Sequence, residues 1–202
     1  MEARSEKEKS YEALKSEIQS CRLCEERFGY EPRPIVWGNQ HSRIMQISQA
    51  PSLNVHLTGK PFNDASGKTL RQEWYHITDE DFYNPDNFYI VSVAHCYPGK
   101  APGGGDRLPP AVCARTWLCR EAALVDNRIF LLVGRAAAQF FFPKRQVTEL
   151  VFEDLAIEGK PAFVLPHPSP LNRKWLKDHP EFLGKRMPEI EAVIHKVLEI
   201  ER

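Results

Sequence analysis

Four short apolar runs, Ile44 to Ser48, Phe88 to Ala94, Ile129 to Val133 and Ala162 to Leu165, are spread along the chain with helical patterns between them. This alternation limits the fold more than any other feature. Runs of roughly four to eight apolar residues bounded by breakers read as strands buried on both faces. Strands separated by helical segments pair in parallel, because a parallel neighbour is reached only by a long return over the sheet. The expected fold class is therefore α/β: a three-layer αβα arrangement with a central, mainly parallel four-stranded sheet. Such a sheet gathers the ends of its first, second and fourth strands at one edge. Gln49 to Ser52, Ser92 to Cys96 and His167 can then converge although they are far apart in sequence.

Ahead of the first strand, Ser5 to Ser20 carries Tyr11, Leu14 and Ile18 at helical spacing among charges, an amphipathic surface helix. Further helices are expected from about Ser66 to His76, after the Thr78 cap, and behind Pro110 through Cys113, Trp117, Cys119 and Leu124. An AAAQFFF segment follows Gly134, and a last helix from about Gly184 to Glu199 sets Met187, Ile190, Ile194 and Val197 on one stripe. Residues 31–41, the polar stretch leading to Phe62, and Pro98 to Pro109 read as irregular. The 202 residues show no repeat or low-complexity linker, so 1–202 reads as one domain. Within it, 1–42 would be a helix and metal-ligand segment packed on the rest.

Lys plus Arg and Asp plus Glu both number 27, so any nucleic-acid binding must use a local patch. The N-terminus is charged, and no run approaches the roughly 20 apolar residues that span a bilayer. A cytoplasmic monomer with no membrane partner is expected.

Five cysteines, an odd number without a secretory signal, favour metal ligation over a disulfide framework. Cys21 and Cys24 form a CxxC pair at a helix end, Cys96 follows the second strand and Cys113 opens the next helix. Four thiolates suit tetrahedral zinc or an iron–sulfur cluster, and softness alone does not separate them. The plainer reading makes Cys96, Cys113 and Cys119 small buried apolar residues. Cys119 is the bystander of the set, displaced along the helix axis from Cys113.

The stretch VLPHPSPLN, Val164 to Asn172, ends the fourth strand at His167, and Pro168 and Pro170 stiffen the turn around Ser169. Leu171 is an apolar residue in a loop, followed by Asn172, Arg173, Lys174 and Trp175. An apolar wedge beside polar, cationic and aromatic groups suits a nucleic-acid surface.

These motifs together resemble the uracil-DNA glycosylase superfamily, in particular its iron–sulfur branches, families four and five. The four cysteines resemble those branches' ligand pattern. Gln49-Ala50-Pro51 with GKPFNDASG resembles their first motif, and HPSPLN the second. The resemblance covers nearly the whole chain. It implies a 4Fe-4S cluster on Cys21, Cys24, Cys96 and Cys113, zinc being the alternative. It also implies a monofunctional DNA glycosylase that hydrolyses the N-glycosidic bond of a deaminated base flipped out of DNA. In that scheme His167 donates to the departing base, helped by backbone N–H groups near Gln49, and Phe62 stacks on the base. Leu171 fills the vacated space, the loop from Ser169 through Pro170 to Asn172 contacts DNA, and Arg173 and Lys174 hold phosphates. No lysine stands where a Schiff base would form.

Three positions depart from the family patterns. Ala50 stands where the classical enzymes have a water-positioning aspartate, leaving Gln49, Asn54 or His56 for that task, or no dedicated base. His56 stands where family four usually has an acid. Ser92 stands where those families have a base-reading asparagine, which suggests uracil specificity relaxed toward hypoxanthine or xanthine. The same departures support a rival: a non-catalytic nucleic-acid-binding protein that retains the fold and the cluster. A third reading is a zinc-stabilised hydrolase acting on a free nucleoside or nucleotide.

Overall fold

The computed structural model of the chain describes residues 2–25 and 31–200. Residues 26–30, inside the expected metal-ligand segment, lie outside the described residues. Helix α1 (Glu2–Gln19) buries Tyr11, Leu14 and Ile18, the three residues its periodicity singled out. Leu14 and Ile18 pack with Cys113 and Trp117 in a small cluster of their own, and Tyr11 meets Tyr89 edge-on with ring centroids 6.4 Å apart. Each such side chain taken out of water contributes about 1.5–3 kcal/mol, so the helix is fastened through one face.

The sheet is built on β1 (Ile44–Ser48), β2 (Phe88–Ser92) and β3 (Ile129–Val133), and all fifteen of their residues are buried. A sheet with one wet face would show alternation, so helices cover both sides and the three-layer expectation holds. The sheet has five strands rather than four. β4 (Leu155–Ile157) pairs antiparallel with the start of β5 (Lys160–Leu165), and the order is β2-β1-β3-β5-β4. Glu158 and Gly159 join the two with positive φ at both positions, 51° and 76°. That is the backbone of a tight two-residue hairpin. Three residues are too few to show a period, and Glu-Gly is a weak turn signal, which is why the sequence reading passes over β4.

Three other differences are local. The stretch expected to be a loop after Ser52 contains helix α2 (Leu53–Thr58), capped by the Ser52 hydroxyl and closed by Gly59 at φ 74°. The helix expected from Ser66 to His76 is α3 (Ala65–Lys68) continued by a wider π turn, Thr69–Trp74. The Thr78 cap forms as expected and opens α4 (Asp79–Tyr83). The helix of Cys113 and Leu124 is broken at Trp117 into α5 (Ala111–Thr116) and α6 (Leu118–Leu124). Beyond β3 lie α7 (Arg135–Phe141) and α8 (Val147–Val151). After β5 come a 3-10 turn, Pro170–Asn172, then α9 (Arg173–Asp178) and α10 (Met187–Leu198). α10 buries Met187, Ile190, Ile194 and Val197, the expected stripe.

Because β1 pairs in parallel with both β2 and β3, the chain leaves β1 in one direction and returns across it in the other. The strand order reverses there, and a crevice opens past the carboxyl ends of these strands. Among the described residues no helix is long and apolar enough to cross a membrane.

Candidate active site and cysteine pocket

A cavity of about 640 Å³ occupies that crevice. Its floor is the last residue pair of the β1–β2 ladder. Ser48 and Ser92 are in register, both are buried, and their hydroxyl oxygens lie 2.8 Å apart with either able to donate. Gln49 and Ala50 continue from β1 into the wall, and the peptide N–H of Ala94 donates to the Gln49 carbonyl at 3.1 Å.

The GKPFNDASG segment supplies the opposite side. Phe62 is buried at φ 53°, a left-handed conformation that costs a non-glycine residue about 1–3 kcal/mol and persists only where its surroundings impose it. Here the Phe62 carbonyl accepts from Arg71 Nη1 at 2.7 Å and from the Tyr83 hydroxyl at 3.1 Å. Arg71, itself buried, is anchored by Asp79 at 2.6 Å. A Cβ on Gly67 would lie 1.7 Å from that same carbonyl oxygen, so only glycine fits. Asp64 caps the turn, its Oδ1 accepting from the Gly67 N–H at 2.9 Å, and its side chain lines the cavity. The ring of Phe62 is held edge-on against Phe82, centroids 6.2 Å apart.

His167 enters from the end of β5, half-buried, with Gly134 against it; a Cβ on Gly134 would stand 3.4 Å from the His167 Cβ. Burial lowers the pKa of its imidazole below the usual histidine value, and the charge of Asp64 opposes the shift. The amide of Asn172 donates to the His167 carbonyl at 2.7 Å and closes the loop. Trp175, which also lines the cavity, is fixed by donating to Thr148 Oγ1 at 3.0 Å. At the rim Leu171 is 92% exposed.

Of the residues singled out from the sequence, Gln49, Ala50, Phe62, Ser92, His167, Ser169, Leu171 and Asn172 share this cavity. Asn54 does not line it; it is exposed and donates to Asn63 at 2.7 Å, tying α2 to the neighbouring segment. His56 also lies off the cavity, its ring 6.0 Å from that of Tyr97. Pro170, Arg173 and Lys174 sit outside on the exposed shoulder, where Lys174 pairs with Asp178 at 2.5 Å. The sequence reading missed Ser48 and Asp64, while Trp175, read from the sequence as an aromatic of a nucleic-acid surface, lines the cavity. Asp64 was legible as a cap, an aspartate three residues ahead of a glycine, but nothing local says that its charge acts on His167.

Cys21, Cys24, Cys96 and Cys113 line one second pocket with Ile18, Pro32 and Trp117. None of the four is joined in a disulfide, and Cys119 is exposed elsewhere. Burial first, then the charges of Cys113, Cys21 and Cys24, push the Cys96 thiol up to about 12. Among the described residues no three His, Cys, Asp or Glu side chains gather tightly enough to hold one ion. The thiols ring a cavity instead of meeting at a point. That fits a cluster whose irons each take a separate thiolate.

Comparison with known proteins shows the family. The family model described as Uracil DNA glycosylase superfamily matches residues 35–191. A type-4 uracil-DNA glycosylase of Archaeoglobus fulgidus is 30% identical over 138 residues, 66% of this chain and 64% of that protein. The protein of the same description from Sulfurisphaera tokodaii is 28% identical over 137 residues, 67% of this chain and 59% of its own. One from Thermotoga maritima is 23% identical over 172 residues, covering 83% and 85%. The chain thus spans less than two thirds of the first two relatives.

Proposed function

The chain belongs to the uracil DNA glycosylase superfamily, and from that premise we propose that it is a monofunctional DNA glycosylase acting on a deaminated base flipped out of DNA. The observation that carries this reading is the placement of a half-buried histidine, an aromatic platform and a hydroxyl pair around one cavity with an exposed leucine at its rim.

In the reaction the bond between C1′ and the base nitrogen breaks, its electron pair leaves with the base, and a water oxygen bonds to C1′ while the proton it loses ends on the departed base. Negative charge builds on the base and positive charge on the sugar. His167, kept neutral to lower pH by burial, donates an N–H to the developing base anion, which is electrostatic stabilisation of the oxyanion-hole type. Phe62 stacks on the base. Asp64, with one oxygen taken by Gly67 and a carboxylate in the cavity, positions the water in the absence of an acid at Ala50. Leu171 fills the gap in the duplex, offsetting part of the few kcal/mol that flipping costs. Arg173 and Lys174 lie on the same exposed shoulder and hold phosphates of the DNA.

The Ser48–Ser92 pair reads the base edge. Because either hydroxyl can donate to the other, the pair can offer a donor or an acceptor to the base, where an asparagine amide would offer a fixed pattern. Uracil, hypoxanthine and xanthine are therefore all within the proposed range. Cys21, Cys24, Cys96 and Cys113 would hold a 4Fe-4S cluster, whose part is structural: it ties α1 to the loops beside the site.

The test is a set of duplexes with uracil, hypoxanthine, xanthine or an alkylated base, treated with protein and then alkali. Scission at the deaminated bases that His167→Ala reduces by about 10²–10³-fold supports the reading. Salt-sensitive binding without scission of any duplex would favour the non-catalytic alternative.

A further inference from the structure

Glu121 on α6 is 0% exposed, and the core around it is apolar. Burying a carboxylate costs several kcal/mol unless its oxygens are satisfied. A helix that only had to cover the sheet would carry leucine there. Both oxygens have partners: the Tyr89 hydroxyl donates to Oε1 at 2.7 Å, and His95 Nε2 lies 2.8 Å from Oε2. His95 is 1% exposed and stands directly before Cys96. The other face of its ring system is turned to Cys113, with Nδ1 3.4 Å from Sγ. The backbone N–H of His95 donates to the same sulfur at 3.3 Å. The sulfur of Cys113 thus has two nitrogens of a single residue within reach, the backbone N–H as a donor and Nδ1 as a donor when it carries a ring proton, and that residue is clamped from behind by a buried carboxylate and a tyrosine.

We infer that His95, oriented by Glu121 and Tyr89, is a positioning residue for the cluster: it holds hydrogen bonds on the Cys113 sulfur that set the potential and the lifetime of the iron–sulfur centre. The inference rests on the cluster reading above. Hydrogen bonds to a ligand sulfur draw charge from it and favour the reduced cluster, so they raise the potential. Partners behind a ligand also hold it in place, and losing one typically weakens metal binding about 10–100-fold. Tyr89 packs on Tyr11 of α1, the helix that delivers Cys21 and Cys24, so the same clamp joins three of the elements that carry the thiols.

The test uses the purified holoprotein. Iron content and the visible spectrum come first, then the midpoint potential by redox titration and the rate of iron release to a ferrous chelator. His95→Leu is expected to lower the potential and speed iron release about 10–100-fold. His95→Asn, whose amide can present an N–H near the place of Nδ1, is expected to recover much of the potential. Glu121→Gln and Tyr89→Phe are expected to speed iron release, the second less than the first, and they carry the test if His95→Leu does not fold. Unchanged potential and release in these variants would overturn the inference while leaving the cluster intact. A wild-type protein without iron or visible absorption would overturn the cluster reading itself.

Discussion

Replacing Gly67 by alanine tests how the Phe62 platform is built. The added Cβ would sit 1.7 Å from the Phe62 carbonyl oxygen and 2.8 Å from Arg71 Nη1. The first neighbour is backbone, so it cannot swing aside as a side chain would. The carbonyl must retreat by more than an ångström before ordinary contact is reached. That breaks its hydrogen bonds to Arg71 at 2.7 Å and Tyr83 at 3.1 Å. Losing a bond to a charged donor costs about 1.5–3 kcal/mol and a neutral one about 1 kcal/mol. Forcing atoms into a packed site adds about 1–3 kcal/mol. A loss of about 3.5–7 kcal/mol is expected, a large share of the roughly 5–15 kcal/mol that holds a domain together. If the segment shifts without unfolding, an ångström of misplacement in Phe62 is expected to slow excision by about 10²-fold. Urea denaturation and single-turnover excision measure the two effects. Gly103→Ala is the control, since nothing lies within 4 Å of a Cβ there; it should stay within about 0.5 kcal/mol of wild type. A Gly67→Ala protein within about 1 kcal/mol of wild type that excises at the normal rate would refute the pinned platform.

Three further predictions concern the rest of the site. Leu171 is 92% exposed, so Leu171→Ala should leave stability unchanged within about 0.5 kcal/mol, yet slow excision from duplex far more than from single-stranded DNA; an equal effect on both substrates would remove its role as a wedge. The pKa of His167 is lowered by burial, and it donates as neutral imidazole, so activity should persist below the ordinary histidine value of about 6.5 and fall only at lower pH. Asp64 opposes that shift, so Asp64→Asn should move the acid limb further down while reducing the rate. An acid limb at or above about 6.5 in a single-turnover pH profile would contradict this.

Much of the scaffold could be read without coordinates because its signals are local. The apolar runs at Ile44, Phe88, Ile129 and Ala162 are long enough to declare buried strands, and Tyr11, Leu14 and Ile18 repeat at the helical period. Two short features were not legible: β4 is too short for a pattern, and α2 begins on a serine cap in a stretch otherwise typical of loops. Trp117, at the break between α5 and α6, packs with Leu14 and Ile18, a contact made across about a hundred residues.

The sequence alone determined which chemical groups stand at the strand ends: a histidine stiffened by prolines, a phenylalanine before a capped turn, four cysteines and an exposed leucine. Spacing along a chain fixes such things because caps, breakers and periods act over a few residues. Only the tertiary structure decided which of those groups meet. Strand register set Ser48 opposite Ser92, the strand-order reversal brought Asp64 within electrostatic reach of His167, and packing of α6 on β2 set Glu121 behind His95. Those pairings join distant segments, and their partners are chosen by how the layers pack rather than by anything in the neighbouring sequence.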